Sequence, residues 1–226
     1  MKSDFEIHDV HRVFSEYTNA EIASGQKAYM KGKFDFYGIQ SVRRRELQRP
    51  FLMKNWLPEK SVAWGIIRDA WEAPQREMQY FAMDLMARYH SKLEKQDLEF
   101  LEELITKKSW WDTVDFLASH SVGIYMTKFP KVRDIYVERW LESGNIWLQR
   151  TCLIFQLKYQ EDLDNQLLEE IIDRLEGSKE FFINKAIGWI LREYSKTNPE
   201  WVVNFVERIP LHALSKREAL RRIGGG

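Results

Sequence analysis

The chain has 226 residues, with 34 basic and 34 acidic side chains, one cysteine and nine tryptophans. This length can bury a substantial core, and abundant aromatics with balanced charge exclude a disordered chain. The single Cys152 excludes a disulfide scaffold or a multi-cysteine zinc site, and no run of about 18 apolar residues offers a membrane span.

The N-terminal MKSDFEIHDV is too polar and acidic for a signal peptide, so a cytoplasmic protein is expected. Apolar residues recur at intervals of three and four almost throughout, and alternating strands are absent. In chain order the pattern predicts helices over 4–17, 20–32, 41–54, 60–72, 75–91, 96–106, 110–127, 130–143, 146–160, 164–176, 179–196 and 198–208, with a last one near 214–222. Asp164 and Ser178 are candidate N-caps, Pro130 and Pro199 suit early helical positions, and Gly177 suits a stop. Ile183, Ala186, Ile187, Ile190 and Tyr194 form one apolar stripe. Met53, Met78, Met83 and Met86 read as core. The later helices pair at a spacing of about 35 to 40 residues. The expected fold is therefore all-α: one domain over 1–226, an α-α superhelix of HEAT-like repeats curved around a concave basic groove. A compact irregular bundle is the alternative. Gly224-Gly225-Gly226 reads as a frayed tail.

Net charge hides its distribution. Residues 1–60 carry 11 basic and 8 acidic side chains, while residues 61–145 carry 11 and 14. Arg43-Arg44-Arg45 with Arg49 reads as a solvated helix face, and Lys27, Lys31 and Lys33 surround Tyr29. On the predicted 179–196 helix, Lys185, Trp189, Arg192 and Lys196 share a second stripe. Three cations beside an indole suit a nucleic-acid backbone, although Trp189 could equally pack under a neighbouring helix.

The segment Trp110-Trp111-Asp112-Thr113-Val114-Asp115 sets two tryptophans beside two aspartates. Trp110, Val114 and Leu117 face one side as core residues would, and Trp111 and Asp115 share a neighbouring face. An indole beside a carboxylate suits a cationic substrate, though capping or surface roles fit both aspartates. Arg150 could hold a phosphate or pair with a carboxylate, and Lys158 could extend a basic surface. No histidine cluster has metal-ligand spacing, and no Walker or dinucleotide loop occurs. No metal or cofactor is expected. His120 has no evident Ser or Cys partner, and Cys152 reads as a small core residue.

Several blocks in order carry a family resemblance: AYMKGKFDFYGIQ (28–40), FLEELITKKSWWDTVD (100–115), NIWLQR (145–150), FQLKY (155–159), SKEFFINKAIGWILREYSKTNP (178–199) and LSKREA (214–219). Across nearly its whole length the chain resembles the AlkD family of bacterial DNA alkylation repair glycosylases, built from HEAT-like repeats. The resemblance implies a monomeric cytoplasmic enzyme, nucleoid-associated when on DNA, that excises cationic N3- and N7-alkylated purines from duplex DNA. It implies that Trp111, Asp115 and Trp189 line the active site. It also implies that Arg150 contacts the backbone beside the lesion and that Tyr29 lies near the DNA. Backbone gripping without base flipping is the implied mode. A non-catalytic relative that binds damaged or branched DNA is the alternative, and a HEAT-type protein scaffold is a second.

Overall fold

The computed structural model describes residues 6–223. The glycine tail and the first residues of the predicted 4–17 helix lie outside the described residues. The protein is all-α; among the described residues the only β feature is an isolated bridge between Asp35 and Gln75. The chain divides into two compact units, Met1–Leu93 and Glu94–Gly226.

The first unit holds α1 (Ile7–Ser15), α2 (Ala20–Tyr29), α3 (Ser41–Gln48), α4 (Lys60–Glu72) and α5 (Arg76–Ala87). Helix α1 packs on α3 and α4, and α4 packs on α5. Between α2 and α3 the chain is held by a buried carboxylate. Glu77 accepts the backbone N–H groups of Tyr37, Gly38 and Ile39 at 3.0, 2.9 and 3.1 Å. Gly38 has φ +86°, and a Cβ there would lie 2.0 Å from the Asn19 carbonyl, so only glycine fits. Pro50 ends the predicted 41–54 helix early: α3 stops at Gln48 and a 3-10 turn spans Arg49–Leu52. Met53 follows that turn and is 46% exposed, which corrects its expected core position; Met78, Met83 and Met86 are buried.

The second unit holds α6 (Asp97–Thr106), α7 (Trp111–Phe116), α8 (Gly123–Lys128), α9 (Pro130–Glu142), α10 (Ile146–Ile154), α11 (Asn165–Arg174), α12 (Phe181–Tyr194), α13 (Pro199–Arg208) and α14 (Ala213–Leu220). Helix α10 packs on α12 and α12 on α14, with α9, α11 and α13 against this row, as in a stack of helical repeats. Pro130 and Pro199 open their helices, and Asp164 caps α11 by accepting the Leu167 N–H at 3.0 Å. Ser178 is not the N-cap of α12. That position belongs to Glu180, and Ser178 Oγ accepts its N–H at 3.3 Å. The apolar stripe of α12 is buried from Ile183 to Tyr194, as its spacing predicts, and Cys152 is buried beside α9.

Two close approaches shape this unit. A Cβ on Gly188 of α12 would lie 2.5 Å from Glu218 Cβ and 2.9 Å from the Ser215 carbonyl, so glycine lets α14 lie against α12. The predicted 110–127 helix is continuous but contains a π-helical segment over Leu117–Val122. The π segment gives way to α8 at Gly123, where a Cβ would lie 2.6 Å from the Phe155 carbonyl.

Candidate active site

Asp115 sits on α7, one turn after Trp111. Trp110 is the N-cap residue, and its ring is turned into an aromatic cluster with Trp147 of α10 and Phe182 of α12, at centroid distances of 5.7 and 5.1 Å. Val114 and Leu117 are fully buried. This packing fixes the helix so that the Asp115 side chain, 16% exposed, meets Arg150 of α10. The guanidinium grips it in two-point geometry. Nε donates to Oδ1 at 2.7 Å and Nη2 to Oδ2 at 2.9 Å. Nη1 donates to the Phe182 carbonyl at 2.5 Å. Burial raises the Asp115 pKa above the ordinary aspartate value; Arg150 opposes that shift and the Asp112 charge adds to it.

Arg150 is only 3% exposed. Three of its five N–H groups are committed to Asp115 and Phe182, so it sits first as the partner of Asp115 and has two N–H groups left.

Asp115 opens onto a cleft of about 400 Å³ lined also by Ser119, His120, Leu157, Lys158, Trp189 and Glu193. The structure thus brings three of the expected site residues, Asp115, Lys158 and Trp189, to one place. Trp189 is half-buried, and Lys158 is exposed with no hydrogen-bond or ion-pair partner among the described residues. Trp111 is half-buried at the start of α7. His120 enters the site unannounced by any sequence pattern, because a π turn cannot be read from apolar spacing.

The expected stripe on α12 has a different charge balance. Glu218 of α14 pairs with Lys185 at 2.8 Å and also with Arg192, while Lys196 pairs with Glu193. This corrects the expectation of a face carrying cations alone. The acids come from α14 and from between the cations on α12 itself. Hydrogen bonding from Lys185, and then from Arg192, holds the Glu218 carboxyl below its ordinary range. The exposed Lys196–Glu193 pair contributes little and yields readily to a competing anion.

In the first unit the arginine run is not one uniform solvated face. Arg44 is buried and donates to Asp84 at 2.8 Å, and Arg43 pairs with Glu46 at 2.9 Å. Arg45, Arg49 and Arg88 line a cleft of about 330 Å³ and have no side-chain partner among the described residues. Asp84 lines it too, but its Oδ2 already accepts from Arg44 and Gln48. Tyr29, at the end of α2, is 68% exposed, and Lys27 beside it pairs with Asp35 at 2.8 Å.

Among the described residues no three His, Cys, Asp or Glu side chains gather as a metal-ligand group, and no helix is long and apolar enough to cross a membrane.

No curated protein matches the chain. A solved structure, described as a predicted DNA alkylation repair enzyme from Enterococcus faecalis, is similar at a TM-score of 0.86 and 30% sequence identity, covering 92% of this chain and 98% of that one. The family model for DNA alkylation repair enzymes matches residues 10–223. The chain belongs to the DNA alkylation repair enzyme family.

Proposed function

We propose that this protein is a DNA glycosylase that hydrolyses the N-glycosidic bond of cationic N3- and N7-alkylated purines, such as 3-methyladenine and 7-methylguanine, in duplex DNA. The observation that carries this reading is the half-buried Asp115 carboxylate, clamped by the buried Arg150 and opening onto a cleft with the Trp189 indole and Lys158. An alkylated purine is already cationic and leaves as a neutral base. Positive charge then grows on the deoxyribose, and Asp115 stabilises it without reorganising, because Arg150 fixes its two oxygens. Ring faces of Trp111 and Trp189 favour the same charge. Water adds to C1′ as the base departs with the bonding pair, and the released proton passes to Asp115.

Lys158, Tyr29 and the two remaining N–H groups of Arg150 hold the DNA backbone in this reading. Lys185, Arg192 and Lys196 contribute as their carboxylate partners are exchanged for phosphates. The enzyme acts as a monomer and grips the backbone around the lesion rather than flipping the base. Selectivity then follows the lability of the cationic lesion. A damaged-duplex structure with the lesion base enclosed in a protein pocket would rule that mode out. Single-turnover release of 7-methylguanine from methylated duplex tests the activity itself; no release by the wild-type protein would overturn it.

Two further outcomes are expected. The ionised carboxylate is the working form of Asp115, and its pKa is raised by burial. Release should therefore fall on acidification through an apparent pKa above the ordinary aspartate value of 3.8. A rate profile against pH checks this, and a rate independent of pH down to 3.8 contradicts it. Binding to unmodified duplex should weaken steeply with salt. Replacing Arg45, Arg49 and Arg88 by alanine together should reduce the slope of log affinity against log salt by about 0.9 for each phosphate that the protein no longer neutralises. An unchanged slope would remove that cleft from the DNA-binding surface.

A further inference from the structure

His120 lies five residues beyond Asp115. On a regular α-helix that places it about 140° around the axis from Asp115. The π-helical segment Leu117–Val122 delays the turn and brings His120 round, so that both side chains line one cleft. Its hydrogen bonds define its tautomer. Ser119 Oγ donates to the Asp115 carbonyl at 2.6 Å, which uses its only hydrogen. Toward His120 Nδ1, at 3.1 Å, that oxygen can therefore only accept. The Phe116 carbonyl, 3.2 Å from the same nitrogen, also only accepts. Nδ1 must carry the hydrogen. In the neutral ring this leaves a lone pair on Nε2, which has no partner among the described residues. The ring plane is fixed by stacking on Phe116 at a centroid distance of 4.5 Å. Burial, and then the nearby Lys158 charge, hold the imidazole pKa below its usual value and so keep the ring neutral.

The remaining acceptors of the cleft are largely committed. Each Asp115 oxygen already takes one Arg150 N–H, and Glu193 is paired with Lys196. A water that attacks a sugar carbon must point a lone pair at that carbon, and its two O–H groups then need two acceptors. We propose that His120 Nε2 is the second acceptor for the attacking water, completing a two-point cradle with the Asp115 carboxylate. This rests on the glycosylase reading above. The water oxygen bonds to C1′ while the C1′–N bond pair leaves with the purine. One water proton goes to Asp115 and on to solvent, and the hydrogen bond to His120 fixes the other.

The test is single-turnover release of 7-methylguanine and of 3-methyladenine, with duplex affinity and thermal stability measured beside it. His120→Phe preserves a flat ring against Phe116 but has no acceptor. It should slow release of both bases by about 10- to 100-fold, somewhat less than loss of a full electrostatic group, with duplex affinity unchanged. His120→Gln places an amide oxygen near the Nε2 position and should recover most of the rate. Wild-type rates in His120→Phe would overturn the proposal while leaving the glycosylase reading intact. Slowing confined to one of the two bases would overturn it in favour of a contact to the base. Equal slowing in the Phe and Gln variants, tracking lost thermal stability, would reduce His120 to a packing residue. A wild-type protein that releases neither base would overturn this proposal and the glycosylase reading together.

Discussion

Asp115→Asn is expected to slow release of 7-methylguanine from methylated duplex by about 100- to 1,000-fold, while the variant still binds the duplex. In the proposed reaction the carboxylate carries the negative charge that meets the growing charge on the sugar. The amide removes that charge and replaces one oxygen with a donor. That donor faces Arg150, whose Nε and Nη2 both donate here at 2.7 and 2.9 Å. The substitution therefore disturbs both the electrostatics and the position of the side chain. Part of the cost falls on folding, because a nearly buried guanidinium loses its counter-charge. Single-turnover rates should accordingly be taken well below the variant's melting temperature, with duplex affinity as the control. Release at the wild-type rate would refute the assigned role.

Arg150→Met is expected to cost about 3 to 5 kcal/mol of stability, the usual penalty for breaking a buried pair from one side. Asp115 would keep a charge in a site that is only 16% exposed, and the Phe182 carbonyl would lose its donor. Asp115→Leu combined with Arg150→Met should regain much of that loss, because no buried charge is then stranded. The double variant should nevertheless release no base. Denaturant unfolding of the wild type, both single variants and the double variant gives the coupling directly. Purely additive losses would mean that the pair contributes nothing to the folded state.

Much of the helical framework was legible from local signals. The stripe from Ile183 to Tyr194, the cap at Asp164 and the prolines at 130 and 199 each report on residues within a turn or two. Spacing alone set Trp111 beside Asp115 and Trp189 beside Lys185, Arg192 and Lys196; that Asp115, Trp189 and Lys158 line one cleft is a tertiary fact that spacing does not carry. What escaped depends on partners far along the chain. Arg150 read as open to a phosphate or a carboxylate, and its burial is decided by groups 32 and 35 residues away. The charge balance of the α12 stripe turns on Glu218, which reaches α12 only because Gly188 lets α14 approach. The arginine run divides because Asp84, 40 residues away, draws Arg44 inward. His120 needed the π turn, a backbone irregularity that leaves no mark in apolar spacing.

Mass analysis of methylated duplex after incubation with the wild-type protein, without heating, tests the central claim most directly. Hydrolysis of the glycosidic bond predicts free 7-methylguanine and 3-methyladenine in solution, an equal number of abasic sites in the strand, and an unchanged protein mass. Methylated bases that stay in the duplex, or a methyl group carried off on the protein, would contradict it.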